Sequence, residues 1–191
     1  MKRKTRRLIK VLKVLSVLAV LAVLAVHFGR KPTMEFLYPI KYEEHVTAYA
    51  AQNELPPSLV YAVIHTESHF NPDAVSKVGA KGLMQLMDST YEWVQTKLPN
   101  EVEPLERVFD PEVNIRCGCK VLQIVMKQFD NVQTALAAYN AGSGNVSKWL
   151  KNADYSDDGV TLKEIPVEET RNYVEKVLRT QEQYKTLYGI E

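Results

Sequence analysis

SLVYAVIHTES, residues 58–68, decides the fold class: an apolar run too long for a typical strand and broken by polar residues only toward its end. Ser58 is placed to cap a helix over 59–68, and Leu59, Val60, Ala62, Val63 and Ile64 give that helix a wide apolar face. Upstream, 42–54 is amphipathic and stops at Pro56-Pro57. Downstream, Pro72, Gly79 and Gly82 break the pattern, and Ser89-Thr-Tyr-Glu92 reads as a capping box opening a helix through Leu98. Asp110-Pro111 is an N-cap followed by proline at the first helical position, with apolar spacing to Phe129. Asn131 caps 132–139, Ser143 opens a short helix to Leu150, and a last helix follows Pro166 to about Tyr188. Strand alternation is almost absent, so the expected class is all-α, with one folded domain over 41–191.

Composition fits that picture: 46% of the 191 residues are hydrophobic and 25% charged, ordinary for a globular chain. The formal charge of +1 hides a division. Residues 1–31 hold nine Lys or Arg and no acid, so the remaining 160 carry 15 basic and 23 acidic residues. A folded part that acidic has no global attraction for nucleic acid.

Met1–Lys13 carries seven positive charges, and Val14–Gly29 has none of either sign. Leu8 to Phe28 is 21 positions interrupted only by Lys10 and Lys13, enough for one bilayer crossing with snorkelling lysines. The charge asymmetry puts the N-terminus in the cytoplasm and the rest outside. A cleaved signal peptide would share these features, but no A-x-A site follows the run and no Cys is there to receive a lipid. The expected organisation is a basic tip and signal anchor over 1–30, a tether over 31–40 and the folded domain beyond. The two cysteines, Cys117 and Cys119, form an isolated CxC, too few ligands for zinc and poorly placed to bridge one another. They read as small buried helix residues.

Among groups able to do chemistry, His65 and His69 have zinc-binding spacing, but Glu67 lies about 200° round the helix from His65 and no third ligand is evident. No G-x-S-x-G and no phosphate-binding glycine loop occurs. Glu67 itself stands at the end of an apolar helix, against the helix dipole. It is either a solvated terminal acid or a desolvated one, which would stay protonated near neutral pH as a general acid.

The run Glu67-Ser-His-Phe-Asn-Pro-Asp-Ala-Val-Ser76, continued by Gly79-Ala-Lys-Gly-Leu-Met-Gln-Leu-Met87, resembles the first signature of the soluble lytic transglycosylase (SLT) family of bacterial cell-wall enzymes. Ala138-Tyr-Asn-Ala-Gly142 resembles the second, Glu169-Thr-Arg-Asn-Tyr-Val174 the third, and Asn114-Ile115 with Gly118 fits the helix between. The resemblance implies a lysozyme-like helical fold, Glu67 as the single catalytic acid/base, and Ser76, Gln85 and Met87 along a glycan groove. It also implies Tyr139 and Asn140 at the scissile sugar and Tyr173 packed near the acid. Ile165-Pro-Val167 departs from the family's aromatic-bearing approach to the third signature.

The implied activity is cleavage of the β-1,4 bond between N-acetylmuramic acid and N-acetylglucosamine with a 1,6-anhydromuramoyl end. Ordinary glycosidases use two carboxylates. The acids nearest in sequence are Asp73 and Asp88, and if neither reaches the anomeric carbon the substrate must supply its own nucleophile. Two other readings stand beside this: a hydrolytic muramidase on the same fold, and a non-catalytic peptidoglycan-binding module serving an envelope machine. No metal or organic cofactor is implied; the partners are glycan strands and, through the anchor, a membrane.

Overall fold

The computed structural model describes residues 13, 15–18, 31–99 and 102–191. The chain divides into two units, Met1–Pro39 and Ile40–Glu191. In the first, residues 31–37 are helical and carry an exposed Lys31–Glu35 pair at 3.8 Å. The expected anchor lies almost wholly outside the described residues; among those described, no helix is long and apolar enough to cross a membrane.

The second unit is all-α: α1 Glu43–Gln52, α2 Pro57–Ser68, α3 Asp88–Gln95, a 3-10 turn Leu105–Phe109, α4 Pro111–Gln128, α5 Val132–Ala141, α6 Ser143–Leu150 and α7 Glu168–Tyr188. Extended pairing among the described residues is limited to two isolated antiparallel bridges, Val75–Lys81 and Lys81–Leu86. Every residue of α2 from Ser58 to Ile64 is buried, so this helix is the central strut rather than a surface amphipath. Helix α7 packs along α2, and α4 packs on α1, α3 and α5.

Several starts differ from the sequence reading. Pro57 occupies the first position of α2, where its missing N–H costs nothing, so Ser58 is not needed as a cap. Ser58 is instead fully buried, and its Oγ accepts from Gln181 Nε2 of α7 at 3.2 Å. The Ser89–Glu92 box does not form: α3 begins at Asp88 after an extended Met87, with no side-chain cap, and ends at Gln95. The Gln95 amide ties that end to the Glu103 backbone in both directions, at 3.1 and 2.6 Å. Asp110 and Asn131 do cap α4 and α5, accepting from Val113 N at 3.2 Å and Thr134 N at 3.1 Å. Cys117 and Cys119 are free thiols with no exposed surface. Burial pushes the Cys117 thiol up to about 11, which makes it a packing group rather than a nucleophile.

The 70–87 segment has little regular structure and is held by one buried side chain. Asn114 of α4, fully buried, accepts from Met84 N at 2.8 Å and donates to the carbonyls of Val108 at 2.7 Å and Lys81 at 3.2 Å. Gly82 sits against that amide at φ +77°, and a Cβ there would stand 2.2 Å from Asn114 Nδ2. At Gly118 a Cβ would lie 2.3 Å from Met84 Sδ, so glycine is what lets the loop lie on α4. Replacing Asn114 with Ala strands two buried backbone groups and one half-buried one and should cost about 2–4 kcal/mol. Chemical denaturation should show a lower midpoint at unchanged slope. A loss below about 0.5 kcal/mol would mean that the loop is held by other contacts.

Candidate active site

The last turn of α2 places Glu67. The helix stops because His69 and then Phe70 take left-handed φ of 51° and 62°, a strained reversal for two residues that are not glycine. Phe70 is nevertheless buried, with its ring centroid 6.3 Å from Tyr61 and 6.2 Å from His65, and this packing holds the turn. Ser68, the residue after Glu67, donates to the carbonyls of Ile64 at 3.2 Å and Leu83 at 2.8 Å. The acid is thereby joined to the loop that Asn114 fixes.

Beyond this turn the loop braces itself. Ser76 N donates to Ala80 O at 2.9 Å while Ser76 Oγ accepts from Ala80 N at 3.0 Å. Gln85, at a left-handed φ of 49°, donates from Nε2 to Ala74 O at 3.1 Å and Gly82 O at 2.8 Å. Both amide hydrogens of Gln85 are thus committed to the loop. Tyr139 of α5 donates to Met84 O at 2.9 Å, tying a third element to the same segment.

These elements enclose a cleft of about 420 Å3. Six of the seven site residues expected from sequence line it: Glu67, Ser76, Gln85, Met87, Tyr139 and Asn140. Tyr173 does not; it is buried behind the cleft on α7. Sequence reasoning missed Thr90, Val78, Asn145, Trp149, Val167 and Glu169, which also line it. Helical spacing carried the signal for three of them. Asn145 and Trp149 are four apart on α6, and Glu169 is four before Tyr173 on α7. Val167, where the sequence departs from the aromatic-bearing pattern, supplies an apolar piece of wall.

Glu67 keeps some surface toward the cleft, while protein surrounds its carboxyl on most sides. Desolvation pushes its pKa up to about 7. The Tyr173 hydroxyl and the Lys176 ammonium pull the other way and only temper the rise. The tyrosine contact falls short of a fully formed hydrogen bond, since that buried hydroxyl has no partner at bonding geometry. The acids nearest in sequence stand elsewhere: Asp73 is exposed, and Asp88 is paired with Lys81 Nζ at 2.7 and 2.9 Å. The second carboxylate facing the cleft among the described residues is Glu169, at its exposed rim. His65 and His69 stack at 4.9 Å and 27°, and no group of three acidic, His or Cys side chains able to hold a metal occurs among the described residues.

Residues 44–160 match the Transglycosylase SLT domain family. The soluble lytic murein transglycosylase of Escherichia coli strain K12 is 38% identical over 160 residues, 82% of this chain and 25% of that protein. The membrane-bound lytic murein transglycosylase C of Yersinia pestis is 32% identical over 76% of this chain and 47% of its own. The X-ray structure of an inactive glutamate-to-glutamine mutant of lytic transglycosylase Slt from Pseudomonas aeruginosa superposes with a TM-score of 0.71. It is 33% identical over 83% of this chain and 26% of that one. The chain thus spans about a quarter of the length of the E. coli relative.

A carboxyl with a raised pKa leaves a signature in stability. The protonated form is the one the fold favours, so the stabilisation is complete below the ordinary value of 4.5 and is lost as pH rises through about 7. Glu67→Gln should therefore match the parent near pH 4 and exceed it by up to about 3 kcal/mol at pH 8, in denaturant melts at each pH. Equal stability differences at both pH values would show that the carboxyl is solvated.

Proposed function

The chain belongs to the transglycosylase SLT domain family, and on that premise we propose that it is a peptidoglycan lytic transglycosylase. In this reading it cleaves the β-1,4 bond between N-acetylmuramic acid and N-acetylglucosamine and leaves a 1,6-anhydromuramoyl end. The observation that carries the reading is a single enclosed carboxyl, Glu67, raised to about 7 in a cleft whose other acid lies at the rim. Near neutral pH such a group is populated in both forms and serves as acid and then as base.

Protonated Glu67 gives its proton to the glycosidic oxygen as the bond from the muramoyl C1 breaks. The N-acetyl oxygen of the same sugar stabilises the cationic centre. The 6-hydroxyl then attacks C1, and the Glu67 carboxylate takes its proton, restoring the acid with no water consumed. Intramolecular attack has a high effective concentration, which offsets the absence of a nucleophilic carboxylate. Tyr139 and Asn140 flank the scissile sugar, and Ser76, Gln85 and Met87 line the glycan groove. Ser76 and Gln85 do so mainly by keeping the loop in shape, given where their polar atoms are spent. Tyr173 acts from behind on the carboxyl's pKa.

The same reading makes residues 1–30 a single-pass signal anchor, 31–40 a tether and 41–191 the catalytic domain on the outer side of the bacterial cell membrane. Seven cations ahead of an uncharged run support it. The hydrolytic alternative comes down to Glu169, the one described acid besides Glu67 on the cleft wall and therefore the group that would have to hold a water.

Muropeptide mass spectrometry after digestion of purified peptidoglycan should show products one water lighter than hydrolytic ones. Glu67→Gln should lower their formation by about 10²–10⁴-fold, while Glu169→Gln should leave the anhydro ends in place. Hydrated reducing ends that vanish in Glu169→Gln would make the protein a muramidase, and binding without any cleavage would make it a scaffold.

A further inference from the structure

The helical residues 31–37 carry an apolar side that the catalytic unit's chemistry does not use. Phe36 is 84% exposed, the most of any large hydrophobic among the described residues, and Leu37 beside it is 52% exposed. A single bare leucine is ordinary on a protein surface; a phenylalanine laid almost wholly open next to a second apolar side chain marks a contact surface. At 100° per residue, Phe36 and Leu37 stand on either side of Thr33. Lys31 and Glu35, ion-paired at 3.8 Å, stand roughly 170° round the helix from them. The stretch therefore has one apolar side and one charged side.

What stands next to this side along the chain decides its partner. The described part of the preceding apolar run exposes Leu15, Val17 and Leu18 to between 55% and 56%, the kind of surface that acyl chains cover. Arg30 and Lys31 close that run, and Phe36, Tyr38 and Tyr42 follow them. Aromatic rings with basic neighbours just beyond an apolar run suit the headgroup layer, where rings meet the upper acyl carbons and cations meet phosphates. Phe36 comes seven residues after Gly29, about 10 Å at helical rise, which is comparable with the depth of one headgroup layer. A lipid surface is thus the partner that both the composition and the spacing fit.

We propose that residues 31–38 are an interfacial collar: the Phe36–Leu37 side enters the headgroup layer on the outer side of the membrane, and the Lys31–Glu35 side faces water. The inference rests on the reading of 1–30 as a membrane anchor and is independent of the chemistry at Glu67. The collar takes most of the tether out of the reach of the catalytic unit. Five residues, 38–42, remain between Leu37 and the start of α1 at Glu43, and they span at most about 18 Å when extended. The glycan strands next to the membrane are then the ones within range.

The test uses the full chain in vesicles of phosphatidylethanolamine and phosphatidylglycerol, with Phe36→Trp on the apolar side and Glu35→Trp on the charged side. The fluorescence of Trp93 and Trp149, measured on the parent protein, is subtracted. The added indole of Phe36→Trp should emit at shorter wavelength and be quenched by lipids brominated near the headgroup end of the chain, at a depth of about 5–10 Å. That of Glu35→Trp should be quenched several-fold less. Equally weak quenching at both positions would make 31–40 a spacer in water, and equally strong quenching by bromines at the acyl chain ends would make 31–37 part of a span; either result overturns the collar. A parent chain that does not float with the vesicles would refute the anchor reading, and this inference falls with it. Formation of anhydro ends by the parent is scored separately, so a failure of the transglycosylase reading is told apart from both.

Discussion

A single buried amide positions much of this molecule. Asn114 lies in the first turn of α4, fully buried, where an asparagine side chain away from water is costly unless satisfied. It is satisfied by the Met84 N–H and the Lys81 carbonyl of a segment without regular structure of its own, and by the Val108 carbonyl of the 3-10 turn. That segment in turn receives Ser68 from α2 and Tyr139 from α5 at adjacent carbonyls, Leu83 and Met84. Three helices therefore meet at four consecutive loop residues, and the cleft wall inherits its shape from them. The two glycines that permit the approach, Gly82 and Gly118, are requirements of the same contact.

The raised pKa of Glu67 is a consequence of that arrangement. Helix α2 is apolar on all sides until its last turn, so a carboxyl placed there finds protein instead of water. The nearest mitigating groups, Tyr173 and Lys176, both belong to α7, which packs along α2. The left-handed pair His69 and Phe70 ends the helix immediately after the acid and turns the chain into the braced loop. Strain at that corner is held by the burial of Phe70 in an aromatic cluster.

Helix positions were legible in the sequence because apolar spacing and two side-chain caps, Asp110 and Asn131, agree with the tertiary packing. The reading failed where a local signal competed with a distant partner. Ser58 looks like a cap and is instead consumed by Gln181 of α7. Ser89–Glu92 looks like a capping box, but the chain enters α3 two positions earlier, at Asp88 after Met87. The ordered signatures brought most of the cleft residues together, while Tyr173 stands behind the wall and Trp149 and Glu169 were overlooked. Those two come into view when positions four apart on a helix, α6 for Trp149 and α7 for Glu169, are followed onto one face.

The account stands on the protonation state of one carboxyl in the folded protein. Carbon-13 labelling of the glutamate side chains, with the Glu67 signal assigned by comparison with Glu67→Gln, gives its titration midpoint by NMR. The predicted midpoint is near 7, moving further up in Tyr173→Phe as the tempering hydroxyl is removed. A midpoint at the ordinary glutamate value near 4.5, unmoved by that substitution, would contradict the account: Glu67 would then be a solvated helix-end acid, ionised at neutral pH and unable to donate the proton on which the proposed reaction depends.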